Sequence, residues 1–472
     1  MNFEVSEILV NNVPIKGVKI LGNKLEQGQR NATHTIILLD VSGSMEEDKK
    51  LTNVKKSLNF LIKFLQPNDR LTLITFNSMS QIQIQNINVT PEYLSTFQHV
   101  IDTIQAYGGT NLSSGLLNVK SVLERCNSTS ENSNTTKTGL IILTDGHANE
   151  GLTASNDILR IVESIKTTLP SLTITTIGYN EDHNAELLKS IAVNGGGSYN
   201  IVNTNDQVAT VFGEILGGLM TTVVQNCYVK YDSSWKNLNM YTRSENNGQT
   251  ILNIGDINAE SETILLFTTT NNCNLTVKVT GVTTKNFTTI TQELNFNQIS
   301  ENKQPYHMTY IRLVIANILQ NLKTLSKEYI KETLNPMKEY LEEPMNIVHP
   351  LTSYLKQEIY SIENQLETPS CVNTTQNLQQ SICMAFGRGT SCARNVQPVF
   401  HTPPRTPATA RRAIRFENVD VDNMLNNVMN NMNVSQLATP FANSAQREVS
   451  QYAVNYTQAT DITESSDPDV EC

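Results

Sequence analysis

The stretch HTIILLDVSGSMEED at residues 34–48 joins an unbroken apolar run to a cluster of oxygen-bearing side chains. The run at residues 36–39 is typical of a strand that is buried within a parallel sheet. One carboxylate and two hydroxyls follow the run at alternate positions, as Asp40, Ser42 and Ser44. Because doubly wound sheets bind ligands at the carboxyl ends of their strands, these three side chains are predicted to face a ligand site.

The residues around this stretch, 34–220, predict an α/β domain. Apolar runs typical of strands occur at 70–76, 139–145 and 172–179, and the segment at 81–87 alternates like an edge strand. Helical stretches are predicted near 51–65, 91–104, 112–125, 154–168, 184–193 and 205–220. Strands that alternate with helices of this length favour a doubly wound, mainly parallel sheet with helices on both faces.

The sequence on both sides of this domain is rich in β-type segments. Residues 221–300 contain short apolar runs separated by Asn, Gly and Ser, as is typical of an antiparallel sandwich. Residues 1–33 have the same pattern and no helix of their own. We therefore expect the N-terminal strands to pair with the sandwich, so that the α/β domain is inserted in a β-sandwich.

The remainder of the chain predicts a helical domain and a tail. Residues 301–368 have apolar side chains at helical spacing, and Pro336, Pro344 and Pro350 are predicted to divide this region into shorter helices. Residues 369–472 are polar, rich in Pro, Thr and Arg in one part and acidic at the end, which predicts a largely disordered tail.

Composition limits the classes of partner. The formal net charge of -10 gives the surface an anionic bias, which disfavours nucleic acid and anionic lipid as ligands. No apolar run approaches the roughly 18 residues of a membrane-spanning helix, and the first residues lack the features of a signal peptide. The 7 cysteines contain no C-x-x-C pair and are expected to be free thiols. We expect an intracellular, cytoplasmic protein with no membrane span.

Two further segments can supply oxygen ligands beside Asp40, Ser42 and Ser44. Thr110 lies in the glycine-containing segment AYGGTNL, and Asp145 follows the apolar run in IILTDGHAN. Hydroxyl and carboxylate oxygens are hard ligands that suit Mg²⁺. The sequence therefore predicts a site for Mg²⁺, or for Mn²⁺, at the ends of neighbouring strands.

This pattern resembles the metal-ion-dependent adhesion site of von Willebrand factor type A (VWA) domains. Asp-x-Ser-x-Ser at residues 40–44, the lone Thr110 of a Gly-Thr loop and the Thr-Asp-Gly at residues 144–146 match its ligand positions in order. The resemblance covers residues 34–220 and implies a Rossmann-like fold. It also implies that Ser42, Ser44 and Thr110 are hydroxyl ligands, and that Asp40 and Asp145 act mainly through water.

A metal ion held in this way keeps much of its positive charge, because both carboxylates lie beyond its direct ligands. It then attracts an acidic oxygen, and an Asp or Glu of a partner protein is the natural sixth ligand. The resemblance thus implies a non-catalytic, Mg²⁺-dependent protein–protein interaction module, and we expect no enzymatic activity.

Three alternatives stay open at this point. Asp40, Ser42 and Ser44 alone are compatible with the N-cap of a following helix. Some multidomain relatives carry a RING finger, which suggests an adaptor or substrate receptor in a ubiquitin-ligase-like system, although zinc-ligand spacing is absent from this sequence. A metal-dependent hydrolase that uses Asp145 and His147 is the third, although the sequence has no G-x-S-x-G motif.

Overall fold

The computed structural model describes residues 1–10, 13–25, 30, 32–129, 136–179, 183–202, 205–239, 241–269, 274–322 and 324–367. The predicted tail at residues 369–472 lies outside the described residues.

A mixed, mostly parallel sheet forms the centre of the α/β domain. Its strands are β3 (Thr33–Asp40), β4 (Arg70–Phe76), β5 (Ser80–Asn88), β6 (Lys137–Thr144), β7 (Thr173–Tyr179) and β8 (Gly196–Val202). Their order in space is β5-β4-β3-β6-β7-β8, with β5 antiparallel at one edge and the other neighbours parallel. This topology confirms the predicted fold class of the α/β domain.

Helices cover both faces of this sheet. They are α1 (Lys50–Leu61), α2 (Pro91–Thr103), α3 (Leu112–Thr129), α4 (Ser155–Thr168), α5 (Ala185–Gly195) and α6 (Asn205–Thr221). Ile37 and Leu39 pack in the core beneath α1, α2 and α6, whereas Ile36 and Leu38 pack in the core beneath α3, α4 and α5. The apolar run of β3 is unbroken because alternate residues enter opposite cores, and each fully buried side chain contributes about 1.5–3 kcal/mol.

The α/β domain is inserted in a β-sandwich, as predicted. The sandwich strands are β1 (Asn2–Val10), β2 (Val13–Leu21), β9 (Thr222–Asp232), β10 (Lys236–Asn237), β11 (Thr242–Asn246), β12 (Gln249–Asn258), β13 (Glu262–Thr268), β14 (Thr276–Thr283) and β15 (Thr289–Asn295). One sheet has the order β1-β2-β13-β10 and the other has the order β11-β12-β9-β14-β15. Strand β2, which precedes the α/β domain, pairs antiparallel with β13, which follows it. The exact domain boundaries stay predictions.

A helical region follows the sandwich, with α7 (Gln304–Gln320), α8 (Lys327–Glu342), α9 (Pro344–Ile347) and α10 (Pro350–Glu367). Pro344 and Pro350 begin helices, but the expectation that Pro336 ends one is wrong, because it lies inside α8. Pro336 is on the exposed side of α8, while Leu334 and Met337 beside it are buried in the helical core. Their burial offsets the hydrogen bond that proline removes. Within the described residues, no helix is both long and apolar enough to cross a membrane.

A buried ion pair joins the α/β domain to the sandwich at the amino ends of the parallel strands. The ammonium of Lys137, the first residue of β6, lies 2.6 Å from a carboxylate oxygen of Asp256 in β12. Asp256 also accepts hydrogen bonds from the Thr173 hydroxyl at 2.5 Å and from the Asn226 amide at 3.1 Å. Burial raises the pKa of Asp256, but the Lys137 charge and these hydrogen bonds outweigh it and hold the pKa below its ordinary value.

Candidate functional site

Three loops meet at the carboxyl edge of the parallel sheet, opposite the Lys137–Asp256 pair. The first follows β3, the second precedes α3 and the third follows β6. The Gly43 amide donates to the Gly108 carbonyl at 3.0 Å, which joins the first loop to the second. The Asn149 amide donates to the Thr110 carbonyl at 3.0 Å, which joins the second loop to the third. The loops therefore hold their side chains as one unit.

Asp40 is fully buried at the end of β3. One of its carboxylate oxygens accepts a hydrogen bond from the Ser42 amide at 2.8 Å, and the other accepts one from the Thr144 hydroxyl. Burial raises the pKa of Asp40 to about 6, the hydrogen bonds from Thr144 and Ser42 lower it, and the nearby Asp145 charge raises it. Both oxygens of Asp40 are thus engaged in fixing the loop after β3.

Ser42, Ser44 and Asp145 form a continuous chain of hydrogen bonds. The Ser42 and Ser44 hydroxyl oxygens lie 3.1 Å apart, and the Ser44 hydroxyl donates to Asp145 Oδ1 at 2.8 Å. Ser42 and Asp145 are buried, whereas Ser44 is half-buried. The structure therefore brings together residues that are 101 positions apart in the chain.

Lys50 extends this series of hydrogen bonds. Its place at the site was not predicted from the sequence. Its ammonium lies 2.7 Å from Asp145 Oδ2 and donates to the Ser44 carbonyl at 3.2 Å. Only 7% of the Lys50 side chain is exposed. Asp48 and Lys49, with φ of 51° and 58°, adopt left-handed backbone conformations immediately before α1 and redirect the chain there.

Thr110 lies beside this chain of hydrogen bonds but does not join it. It is 4% exposed, and its amide donates to the Asn149 side chain at 2.8 Å. Its hydroxyl is next to Gly146, because a Cβ at Gly146 would stand 3.8 Å from it. A Cβ at Gly109 before it would crowd the ends of the Glu150 and Asn149 side chains, which would have to shift. The Thr110 loop can therefore approach the Asp145 loop closely.

The donor set fits a hard divalent cation. The predicted ligands comprise two carboxylates and three hydroxyls at one edge of the sheet, and Asp40, Ser42, Thr110 and Asp145 are all buried there. Such oxygens suit Mg²⁺ or Mn²⁺. Within the part of the chain that the structure describes, no group of three or more His, Cys, Asp or Glu side chains is placed to hold a metal ion. A metal at this edge would therefore depend on the serine and threonine hydroxyls.

His147 does not have the geometry of a catalytic base for Ser44. The His147 side chain is exposed, whereas the Ser44 hydroxyl donates to Asp145. A serine nucleophile needs its base within hydrogen-bond reach, with the base oriented by a third group. The described hydrogen bonds therefore do not connect Ser44 to His147, and the metal-dependent hydrolase that uses Asp145 and His147 stays an untested alternative.

Two other contributors, Thr144 and Asn149, were also missed by sequence reasoning. Thr144 is the last residue of β6 and directs its hydroxyl to Asp40, while Asn149 holds the Thr110 loop through its side chain and its amide. Thr144 belongs to the Thr-Asp-Gly segment, so its position beside Asp145 was a usable signal. Asn149 carries no such signal, because asparagine is frequent throughout the chain.

Comparison with known proteins identifies the α/β domain. Residues 35–214 match the family model of the von Willebrand factor type A domain, and this part of the chain is a VWA domain. A solved structure, von Willebrand factor type A from Catenulispora acidiphila, superposes with a TM-score of 0.51 at 15% identity, covering 68% of this chain and 81% of that one. The superposition shows a shared fold.

Curated relatives match a limited part of the chain. The uncharacterized protein YfbK of Escherichia coli (strain K12) is 24% identical over 221 residues, which are 46% of this chain and 37% of that protein. Inter alpha-trypsin inhibitor heavy chain 4 of Mus musculus is 28% identical over 196 residues, which are 40% of this chain and 20% of that protein. The chain thus spans well under two thirds of the length of these relatives.

Proposed function

We propose that the VWA domain of this chain binds a protein partner through a divalent cation, Mg²⁺ or Mn²⁺, and performs no bond chemistry. The observation that carries the proposal is the convergence of Asp40, Ser42, Ser44, Thr110 and Asp145 on one edge of the sheet, within three loops that are hydrogen-bonded to each other. When bound, the cation supplies a positive charge and an open coordination position, which an Asp or Glu of the partner fills.

Each residue has a distinct role in this proposal. Ser42, Ser44 and Thr110 offer hydroxyl oxygens to the cation. Asp40 orients the first loop and acts through water, since both its oxygens already accept hydrogen bonds from Ser42 and Thr144. Asp145 also acts through water and orients the Ser44 hydroxyl. Two carboxylates that do not bind the ion directly leave its charge available to the partner.

The net charge and a buried cysteine support two further parts of this proposal, the class of partner and the cellular location. A net charge of -10 disfavours nucleic acid as the partner. Cys227 is a buried free thiol, which is consistent with a reducing, cytoplasmic location.

The proposal is tested by metal binding and by metal-dependent capture. The full chain is titrated with Mn²⁺ and followed by electron paramagnetic resonance, beside Asp145→Ala and a double variant with Ser42→Ala and Ser44→Ala. We expect saturable Mn²⁺ binding that both variants weaken. Asp157→Ala is the matched control, because Asp157 is a carboxylate of the same domain that pairs with exposed Arg160 on α4.

Partner capture gives the second test. Affinity purification with Mg²⁺ should retain a protein that EDTA releases and that Asp145→Ala does not retain, whereas Asp157→Ala should retain it. Capture that survives both EDTA and Asp145→Ala would exclude the metal-bridged mechanism and leave the fold assignment intact.

A further inference from the structure

The proposed metal site already contains a positive charge from the chain itself. The Lys50 ammonium contacts Asp145 Oδ2 at 2.7 Å and the Ser44 carbonyl at 3.2 Å, so it touches two of the five proposed ligand residues. Its side chain is 7% exposed and that of Asp145 is 1% exposed. Solvent screens charges that are this buried much less than exposed ones, so the Lys50 ammonium interacts with a cation or an anion that enters the site.

The charges at the site show what this lysine changes. Asp40 and Asp145 together carry -2 when ionised, and a divalent cation alone would neutralise them. With Lys50 present, the two aspartates, the lysine and the cation together carry a net charge of +1; Glu47 is left out of this count because its exposed carboxylate is screened by solvent. One carboxylate from a partner then brings the total to zero, whereas without Lys50 the same carboxylate would leave an excess negative charge.

A second carboxylate, that of Glu47, also lies near the Lys50 ammonium. Glu47 Oε2 lies 3.9 Å from Lys50 Nζ, and the Glu47 side chain is 74% exposed. An ammonium that is displaced from Asp145 can move toward Glu47 while its charge stays beside the site.

We propose that Lys50 is a tethered counter-ion that weakens binding of the cation alone and strengthens binding of the cation together with a carboxylate. The inference rests on the proposed function and deepens it, because it explains how the site selects an acidic ligand. Lys50 is a positioning and specificity residue here and is not a metal ligand. A cation would be retained mainly when the acidic partner is present.

The test compares Mn²⁺ affinity in the full chain and its variants by electron paramagnetic resonance, with and without acetate as the simplest carboxylate. Lys50→Met removes the charge and keeps an unbranched side chain that is one atom shorter. Lys50→Arg keeps the charge, and Lys49→Met removes a neighbouring, exposed lysine as the matched control. Thermal melts with and without Mn²⁺ report folding independently. Lys50→Met leaves the buried Asp145 carboxylate without its counter-ion, which lowers stability, so the melts show which temperature keeps every variant folded during the Mn²⁺ titration.

We expect Lys50→Met to bind Mn²⁺ at least about ten-fold more tightly than the wild-type chain, since each pair of unit charges about 4 Å apart changes binding by about five-fold even in water. Mn²⁺ should also raise the melting temperature of this variant more than that of the wild type. Acetate should increase Mn²⁺ affinity in the wild type and in Lys49→Met but not in Lys50→Met. Lys50→Arg should behave like the wild type.

The outcomes separate this inference from the proposed function. Equal Mn²⁺ affinities of wild type and Lys50→Met, with binding lost in Asp145→Ala, would overturn the role of Lys50 and leave the metal site standing. Tighter binding in Lys50→Met than in the wild type without acetate, with the difference reduced by acetate, would support both proposals. Mn²⁺ binding to none of these proteins would overturn both.

Discussion

Strand β6 has a lysine–aspartate pair at each of its ends, and the surroundings of the two pairs differ. At its start, Lys137 pairs with Asp256, and both residues and the other donors to Asp256, Thr173 and Asn226, lie in strands, with Asn226 in left-handed backbone at an irregularity of β9. At its end, Asp145 pairs with Lys50, which follows two residues with left-handed backbone. The same ionic chemistry therefore joins two domains at one edge and, in the proposed function, would be exchangeable with a metal ion at the other.

The largest expected effect is at the structural pair. Asp256→Ala leaves the Lys137 ammonium, 2% exposed, without its counter-ion. Removing one partner of a buried pair typically costs about 3–5 kcal/mol in the free energy of unfolding. Urea unfolding should show a large drop in midpoint. Asp157→Ala breaks an exposed pair, with Arg160 76% exposed, and should cost less than about 1 kcal/mol. Similar midpoints for the two variants would show that the interdomain pair is dispensable.

At Asp145 we expect a smaller loss of stability than at Asp256, together with a loss of metal affinity. Asp145→Ala should weaken Mn²⁺ binding by about 10–100-fold, which is typical when a group behind the direct ligands is lost. The free energy of unfolding should fall by about 1–3 kcal/mol, because Lys50 keeps a second carboxylate nearby at Glu47, whereas the Ser171 carbonyl and Thr173 hydroxyl that remain beside Lys137 carry no charge. Mn²⁺ titration and urea unfolding measure both quantities. A stability loss greater than that of Asp256→Ala would contradict the exchangeable character of this pair.

The pH dependence of stability should reflect the Lys137–Asp256 pair. The pKa of Asp256 is held below its ordinary value, so the folded state favours the ionised carboxylate. Its stabilisation is therefore complete above the unfolded pKa of about 3.9 and is lost as pH falls through the lower folded value. The difference in urea midpoint between wild type and Asp256→Asn should be constant near neutral pH and should narrow in acid. A difference that widens in acid would show the opposite sign of linkage.

The smallest expected effect is a change of domain orientation. Helix α6 ends at Thr221 and β9 begins at Thr222, so any displacement of this helix reaches the sandwich directly. We expect Mg²⁺ with a bound carboxylate to shift the distance between spin labels on α4 and on β15. The shift should be larger in Asp256→Ala, because the wild-type pair opposes it. Identical distances under all conditions would mean that the site and the sandwich are not coupled.

Much of the fold was predictable because hydrophobic periodicity carries it. The unbroken run of β3 and the helical spacing that follows predicted the α/β order, and the five candidate ligands were recognised from short motifs at strand ends. Lys50 was not predictable in this way. Its position depends on left-handed backbone at Asp48 and Lys49, and its partner Asp145 is 95 residues away. Pro336 was misjudged because the burial of its neighbours in α8 is a property of tertiary packing.

The insertion also determines how tension would pass through this chain. Before the α/β domain, the Gly22 carbonyl accepts a hydrogen bond from the Glu260 amide at 3.0 Å, and after it, the Thr221 carbonyl accepts one from the Ala259 amide at 2.8 Å. Both connections of the domain are therefore fastened to one turn between β12 and β13. A force applied to a partner bound at the carboxyl edge of the parallel sheet would be divided between these two connecting segments. The α/β domain is thus attached to the sandwich through two adjacent connections. Because both connections lie at one place, the domain could be removed or exchanged as one unit.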